Sequence, residues 1–170
     1  MPSLLSPRAS VNELRSGVTS LAEKLATPLL PADYTDLISP LASSAELRGR
    51  ITSIVPETAD SATLVIKPGR GWRTHIPGQY VRLGVDINGV RHWRAYSLTS
   101  SPDRPDGYIT ITVKAIEDGL VSNHLVHAAS AGTVIQLDQA TGDFTLGQEE
   151  QRRALFVTAG SGITPVMGML

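Results

Sequence analysis

A mainly β domain, an antiparallel barrel of short strands, is the fold class this sequence predicts. Three observations carry it. From Glu46 onward, runs rich in β-formers alternate with Gly, Pro, Asn and Asp at short intervals. Asn88-Gly89 stands between two of these runs, Gln79–Asp86 and Val90–Leu98, and is the strongest short hairpin signal a sequence offers. Tyr108–Lys114 alternates apolar and polar residues as a strand with one buried face does. The pattern changes on either side of the barrel. A helical arm is expected over residues 1–45, the barrel over 46–147, and a βα unit over 148–170.

Each element has its own reason. Ser10-Val11-Asn12-Glu13 reads as a helix-capping box, and Val11, Leu14, Val18, Leu21 and Leu25 then recur at spacings of three and four until Thr27-Pro28 ends the pattern. This stripe either packs on the barrel or docks another protein. Its mixed charges, Arg15 and Lys24 against Glu13 and Glu23, do not make a basic membrane binder. Leu47–Val55 and Ala62–Lys67 are expected as strands turning around Pro56–Asp60, and Thr133–Leu137 as a further strand. Lys67–Arg73 is a basic, glycine-punctuated loop, read either as a solvated turn or as a surface that steers an acidic partner. Gly119–Val126 begins a short helix, whose first amides would face a phosphate. Ala154–Thr158 is continuously apolar, as a buried parallel strand is, and runs into Gly160-Ser161-Gly162-Ile163-Thr164-Pro165. With one βα unit there is no sheet to join, so residues 154–170 are expected to fray or to lie against the barrel.

Composition excludes several classes. The 170 residues carry a net charge of −1, so nothing calls for nucleic acid or an anionic membrane. No apolar run has the length of a transmembrane helix and no signal pattern opens the chain, so the cytoplasm, or the periphery of a membrane-bound partner, is the expected location. The chain has no cysteine, hence no disulfide, zinc–thiolate site or Cys-ligated iron–sulfur cluster of its own. His124 and His127, three apart without a carboxylate or thiol beside them, make a poor metal pair, and no metal site is expected.

The chemistry concentrates in Arg94-Ala95-Tyr96-Ser97. On a strand Arg94 and Tyr96 share a face about 7 Å apart. A guanidinium fork matches phosphate oxygens, a phenol ring stacks on a flat heterocycle, and the Ser97 hydroxyl can reach that heterocycle's rim. Together they describe a strand that holds a nucleotide-like cofactor.

With Pro77-Gly78-Gln79-Tyr80-Val81 upstream, Gly119–Ser122 downstream and the Gly160–Pro165 turn, this motif resembles the ferredoxin–NADP reductase superfamily over about residues 47–170. Trp93–Ser100 and Thr158–Leu170 look most like actinobacterial ferredoxin reductases that serve acyl desaturases. The resemblance implies a Greek-key flavin-binding barrel closed near Gly142-Asp143-Phe144, and that the βα unit over 148–170 is the start of a truncated α/β nucleotide-binding domain. It implies FAD as cofactor, NAD(P)H as electron donor, and a separate iron–sulfur or desaturase-type acceptor. It further implies that Arg94 binds pyrophosphate, that Tyr96 and Ser97 are the catalytic pair against the isoalloxazine, and that Ala95, Thr112, Val113 and Lys114 line the flavin. Val121, Ser122 and Asn123 would cradle the pyrophosphate, and Gly160, Ser161, Gly162, Ile163 and Thr164 would meet the nicotinamide nucleotide. A non-catalytic flavin-binding module and a pure interaction protein stand as alternatives.

Overall fold

The computed structural model describes residues 39, 41, 46–146 and 153–170. The expected helix over residues 10–26 lies outside them, as does most of the linker before Arg153. The described residues form six strands: β1 (Arg48–Thr58), β2 (Ser61–Pro68), β3 (Tyr80–Ile87), β4 (Val90–Ser97), β5 (Ile109–Lys114) and β6 (Val134–Leu137). Between β5 and β6 a helical turn, α1 (Leu120–Asn123), continues as a π-helical turn over His124–Ala128. A 3-10 turn over Gly160–Gly162 leads into α2 (Ile163–Met167).

All pairings are antiparallel, in the order β4-β3-β6-β1-β2-β5. The two outer strands, β4 and β5, meet through a bridge between Leu98 and Ile111, which closes the sheet into the expected barrel. Period-two alternation fills the interior. Ala62, Leu64 and Ile66 of β2 face Ile109, Ile111 and Val113 of β5, and Val81, Leu83 and Val85 of β3 complete the ring. Val121 and Leu125 join the same core from the α1 segment. Fully burying side chains of this kind contributes about 1.5–3 kcal/mol each, so this core is the main source of stability.

Local chemistry explains the connections. Asn88 and Gly89 both take positive φ, 52° and 78°, which is what a two-residue turn between twisted strands requires. β1 runs further than expected, through Pro56 to Thr58. Within β1, β6 pairs only with Arg48–Arg50, so Pro56 has no ladder partner on that side and its missing N–H costs nothing. Pro77-Gly78-Gln79 acts as a staple: the Gln79 carbonyl accepts from Leu98 N–H at 2.9 Å, and its side-chain oxygen accepts from Ile76 N–H at 2.9 Å.

The segment 154–158 has the composition of a parallel strand but forms none, as expected where there is no sheet for it to join. It pairs with nothing among the described residues, and Leu155 and Val157 are each 89% exposed. An apolar run becomes a strand only where neighbours satisfy its backbone. The C-terminal turn beyond it does lie on the barrel. Val166 is buried, Gly168 approaches the Leu98 carbonyl, and the Met169 side chain reaches Gly78.

Gly78 has φ 95°, and a Cβ there would stand 2.0 Å from the Phe144 carbonyl oxygen and 2.2 Å from the Met169 methyl. Gly78→Ala therefore adds backbone strain to overpacking and should cost about 2 kcal/mol or more. A chemical melt of both proteins reads this directly, and equal midpoints would show that the staple bears no weight.

Candidate functional site

β4 is the strand on which the site is built. Its register with β3 sets Tyr96 opposite Val81 and Arg94 opposite Leu83. Directly opposed residues share a face, so the guanidinium and the phenol occupy inward positions, beside side chains that are fully buried. Arg94 is exposed nonetheless and Tyr96 only half-buried, because the space in front of them is a cleft of about 420 Å³. Arg94, Ala95, Tyr96 and Lys114 form one side of it, and the turn from Ile116 to Ser122 the other.

The cleft exists because the closing seam opens. Leu98–Ile111 is the last bridge, and the pairing does not continue to Tyr96 and Val113. Thr99 N–H donates to the Thr110 carbonyl at 2.9 Å, which fixes the phase of both edges. By antiparallel alternation, the main-chain groups of Ala95 and Ser97, and of Thr112 and Lys114, point toward the seam. Those of Ala95 and Lys114 lie beyond the last rung.

The turn opposite is held by its own hydrogen bonds. Ser122 Oγ donates to the Gly119 carbonyl at 3.1 Å and accepts from Ile116 N–H at 3.3 Å. Asn123 Nδ2 donates to the carbonyls of Ile116 and Gly119 at 2.8 and 2.9 Å. Asp118 holds positive φ, 58°, an uncommon backbone for a residue with a side chain. A Cβ on Gly119 would stand 2.3 Å from Ser122 Oγ and 2.5 Å from Ile116 Cγ1, so only glycine fits.

Electrostatics suit an anion beside a flat ring. One terminal nitrogen of Arg94 donates to the Trp93 carbonyl at 2.7 Å, which orients the guanidinium, and no carboxylate pairs with it among the described residues. Lys114 pairs with Asp60 at 3.2 Å, both exposed. Burial raises the Tyr96 phenol above its ordinary value, against a smaller lowering by Arg94, so it stays protonated through the neutral range.

The structure thus brings Arg94, Ala95, Tyr96, Lys114, Val121 and Ser122 to one cleft. Ser97 lies on the seam just beyond it. Val113 departs from the expected lining: its side chain is 1% exposed in the core and its main chain faces β2. Thr112 turns its hydroxyl to Thr63 at 2.9 Å and offers the seam only its main chain. Asn123 N–H donates to Gly119, and its side chain borders a neighbouring cleft. Gly160, Ser161, Gly162, Ile163 and Thr164 stand apart on the C-terminal turn, where Thr164 Oγ1 donates to the Ser161 carbonyl at 2.8 Å. Glu117 and Asp118 line the cleft without having been expected there; the Asp118-Gly119 pair just after a strand was the signal. No group of His, Asp and Glu suited to a metal occurs among the described residues. None of their helices is long and apolar enough to cross a membrane. The basic loop leaves Lys67, Arg70 and Arg73 exposed, at the end of β2 away from Lys114.

The chain belongs to the oxidoreductase FAD-binding domain family, whose model matches residues 57–146, and the resemblance to ferredoxin–NADP reductases holds. An NADPH oxidoreductase of Mycobacterium tuberculosis is 49% identical over 153 residues, 88% of this chain and 40% of that protein. The chain therefore spans less than half of that relative. The flavohaem-like FAD/NAD-binding domain of a nitric oxide dioxygenase from Vibrio cholerae superposes with a TM-score of 0.64 at 27% identity, covering 73% of this chain and 55% of that one. A ferredoxin NADP+ reductase from Neisseria gonorrhoeae with bound FAD and NADP gives 0.52 at 27% identity, covering 59% and 40%.

Gly119→Ala should force the Ile116–Ser122 turn out of place while the barrel core stays intact. We expect a small change in melting temperature and a loss of cofactor retention of at least about tenfold, or 1.4 kcal/mol. Flavin titration beside a thermal melt separates the two, and unchanged retention would show that the turn does not shape the site.

Proposed function

We propose that this chain is the flavin-holding part of an NAD(P)H-dependent oxidoreductase of the ferredoxin reductase type. FAD would lie along the open seam, and a separate iron–sulfur protein would take the electrons. The observation that carries the reading is the inward face of β4: Arg94 and Tyr96 stand at core positions, yet the protein leaves the space before them to a ligand. The tight turn at Gly119 supports it, since a cradle closed to any Cβ suits close approach of a phosphate. We read residues 46–147 as the cofactor barrel and 148–170 as the start of a nicotinamide-nucleotide domain.

Arg94 would place its free fork nitrogens on pyrophosphate oxygens, with the N–H groups of Leu120 and Val121 opposite, which precede any intrahelical acceptor. The protonated Tyr96 would lie against the isoalloxazine and exclude water from one face. The Ser97 hydroxyl would hydrogen-bond near N5, and the seam-facing main chain of Ala95, Thr112 and Lys114 would meet the ring's polar edge. Bound there, FAD supplies acceptance of a hydride from a reduced nicotinamide and release of single electrons to the partner. Gly160–Thr164 would receive the nicotinamide nucleotide. A desaturase-linked acceptor is the finer form of this proposal.

The purified chain should show flavin absorption bands. Arg94→Ala should weaken FAD by about tenfold to more than a hundredfold, since a charge-assisted bond contributes about 1.5–3 kcal/mol. Tyr96→Ala should cost about 0.5–1.5 kcal/mol beyond lost burial and alter the flavin spectrum. Full affinity in Arg94→Ala would remove the reading.

A second measurement addresses the nicotinamide. Because 154–158 is unpaired among the described residues and α2 spans only Ile163–Met167, dithionite should reduce the bound flavin promptly and NADPH only slowly. Fast, saturable reduction by micromolar NADPH in a stopped-flow trace would contradict this.

A further inference from the structure

Three turns of the barrel place an Asn or Asp directly before glycine: Asn88-Gly89, Asp106-Gly107 and Asp118-Gly119. In such a pair no Cβ shields the glycine nitrogen, which can attack the side-chain carbonyl before it. We propose that Asn88 is a site of spontaneous covalent modification, deamidation to isoaspartate and aspartate, and that the fold spares the other two pairs. The Gly89 nitrogen, giving up its proton, bonds to Asn88 Cγ while the Cγ–Nδ2 bond breaks and ammonia leaves. Water then opens the cyclic imide at either carbonyl. One water is consumed and one ammonia released, with no redox change. Opening at the main-chain carbonyl leaves isoaspartate, which carries the chain through an extra methylene.

Hydrogen bonding separates the three pairs. Gly107 N–H donates to the Arg104 carbonyl at 3.0 Å, and the Asp106 carboxylate is held by Arg104 at 2.8 Å and by Tyr108 N–H at 3.0 Å. Gly119 N–H donates to the Ile116 carbonyl at 3.0 Å. Gly89 N–H and the Asn88 side chain have no partner among the described residues, both residues are exposed, and open space surrounds Gly89. The turn can also loosen. β6 pairs with β3 only at Leu83 and Gly84, and β4 meets β5 only at Leu98, so residues 85–87 and 90–92 pair only with each other. A two-stranded end of this kind opens without unfolding the barrel. Isoaspartate there lengthens the loop that sets the register of β3 against β4 and adds a carboxylate beside Asp86.

The full chain, incubated folded and in urea at mildly alkaline pH and then digested with trypsin, tests this. Cleavage after Arg82 and Arg91 releases residues 83–91 as one peptide. Mass spectrometry should show its amide converting to acid in the folded chain within about a hundredfold of the rate in urea, a local opening of about 2.7 kcal/mol. The peptides holding Gly107 and Gly119 should stay free of isoaspartate. Asn88→Gly keeps a two-residue turn of the same hand. It should hold its melting temperature through the incubation that lowers that of the unsubstituted chain. Greater protection of Asn88 in the folded chain would overturn the proposal, as would isoaspartate at Asp106 or Asp118 matching that at Asn88, or equal thermal loss in Asn88→Gly.

Discussion

The bridge between Leu98 and Ile111 is the contact on which the rest of this structure depends. It joins the two outermost strands of a sheet ordered β4-β3-β6-β1-β2-β5, so without it there is an open sheet with a bare apolar face. Both residues are fully buried, and the neighbouring Thr99 and Thr110 add a hydroxyl pair at 2.8 Å to their backbone bond. The closure is short. One step further, the strands separate, and the core ends where the cleft begins. One rung therefore stabilises the barrel and also positions the site at its edge.

A barrel that ended its core in this way with apolar residues would expose them to water. Here the inward positions past Leu98 are Tyr96, Arg94 and His92, side chains whose polar ends tolerate solvent while their stems or rings pack inward. Tyr96 packs against the buried cluster and lines the cleft. The composition of β4 thus resolves two demands on one strand, a stable inner end and a ligand-facing outer end. The Ile116–Asn123 turn answers the same constraint from the other side. Its hydroxyl and amide groups bond within the turn, which holds the shape of the wall without relying on a ligand.

How much of this the sequence shows depends on range. The hairpin at Asn88-Gly89 and the pairing of Arg94 with Tyr96 on one face are local consequences of turn chemistry and strand period, and both are readable. The insertion of β6 between β3 and β1 is not, because no local rule selects partners roughly 50 to 90 residues away. Val113 illustrates the same limit: its place in the alternation is clear, but which face is the core depends on β2. Ser122 and Asn123 are readable as polar residues at a helix start, whereas their inward hydrogen bonds depend on the path of the turn. The run Ala154–Thr158 has the composition of a buried strand, and composition cannot supply the neighbours a strand needs.

That unpaired run makes the position of the C-terminal turn informative. Two glycines let it dock: a Cβ on Gly168 would stand 2.6 Å from the Leu98 carbonyl oxygen, and one on Gly78 would meet the Met169 methyl. Leu98 is the residue at which the seam closes, so the turn rests on the fixed end of β4 rather than on its open end. From Gly168 back to Ile163 is five residues of mostly helical rise, roughly 8 Å. Ile163, at the start of α2, is thereby held near the contact with Leu98 by packing alone, without strand pairing among the described residues. Val166, 3% exposed, anchors that arrangement. The C-terminal turn is thus placed by contacts with the barrel itself.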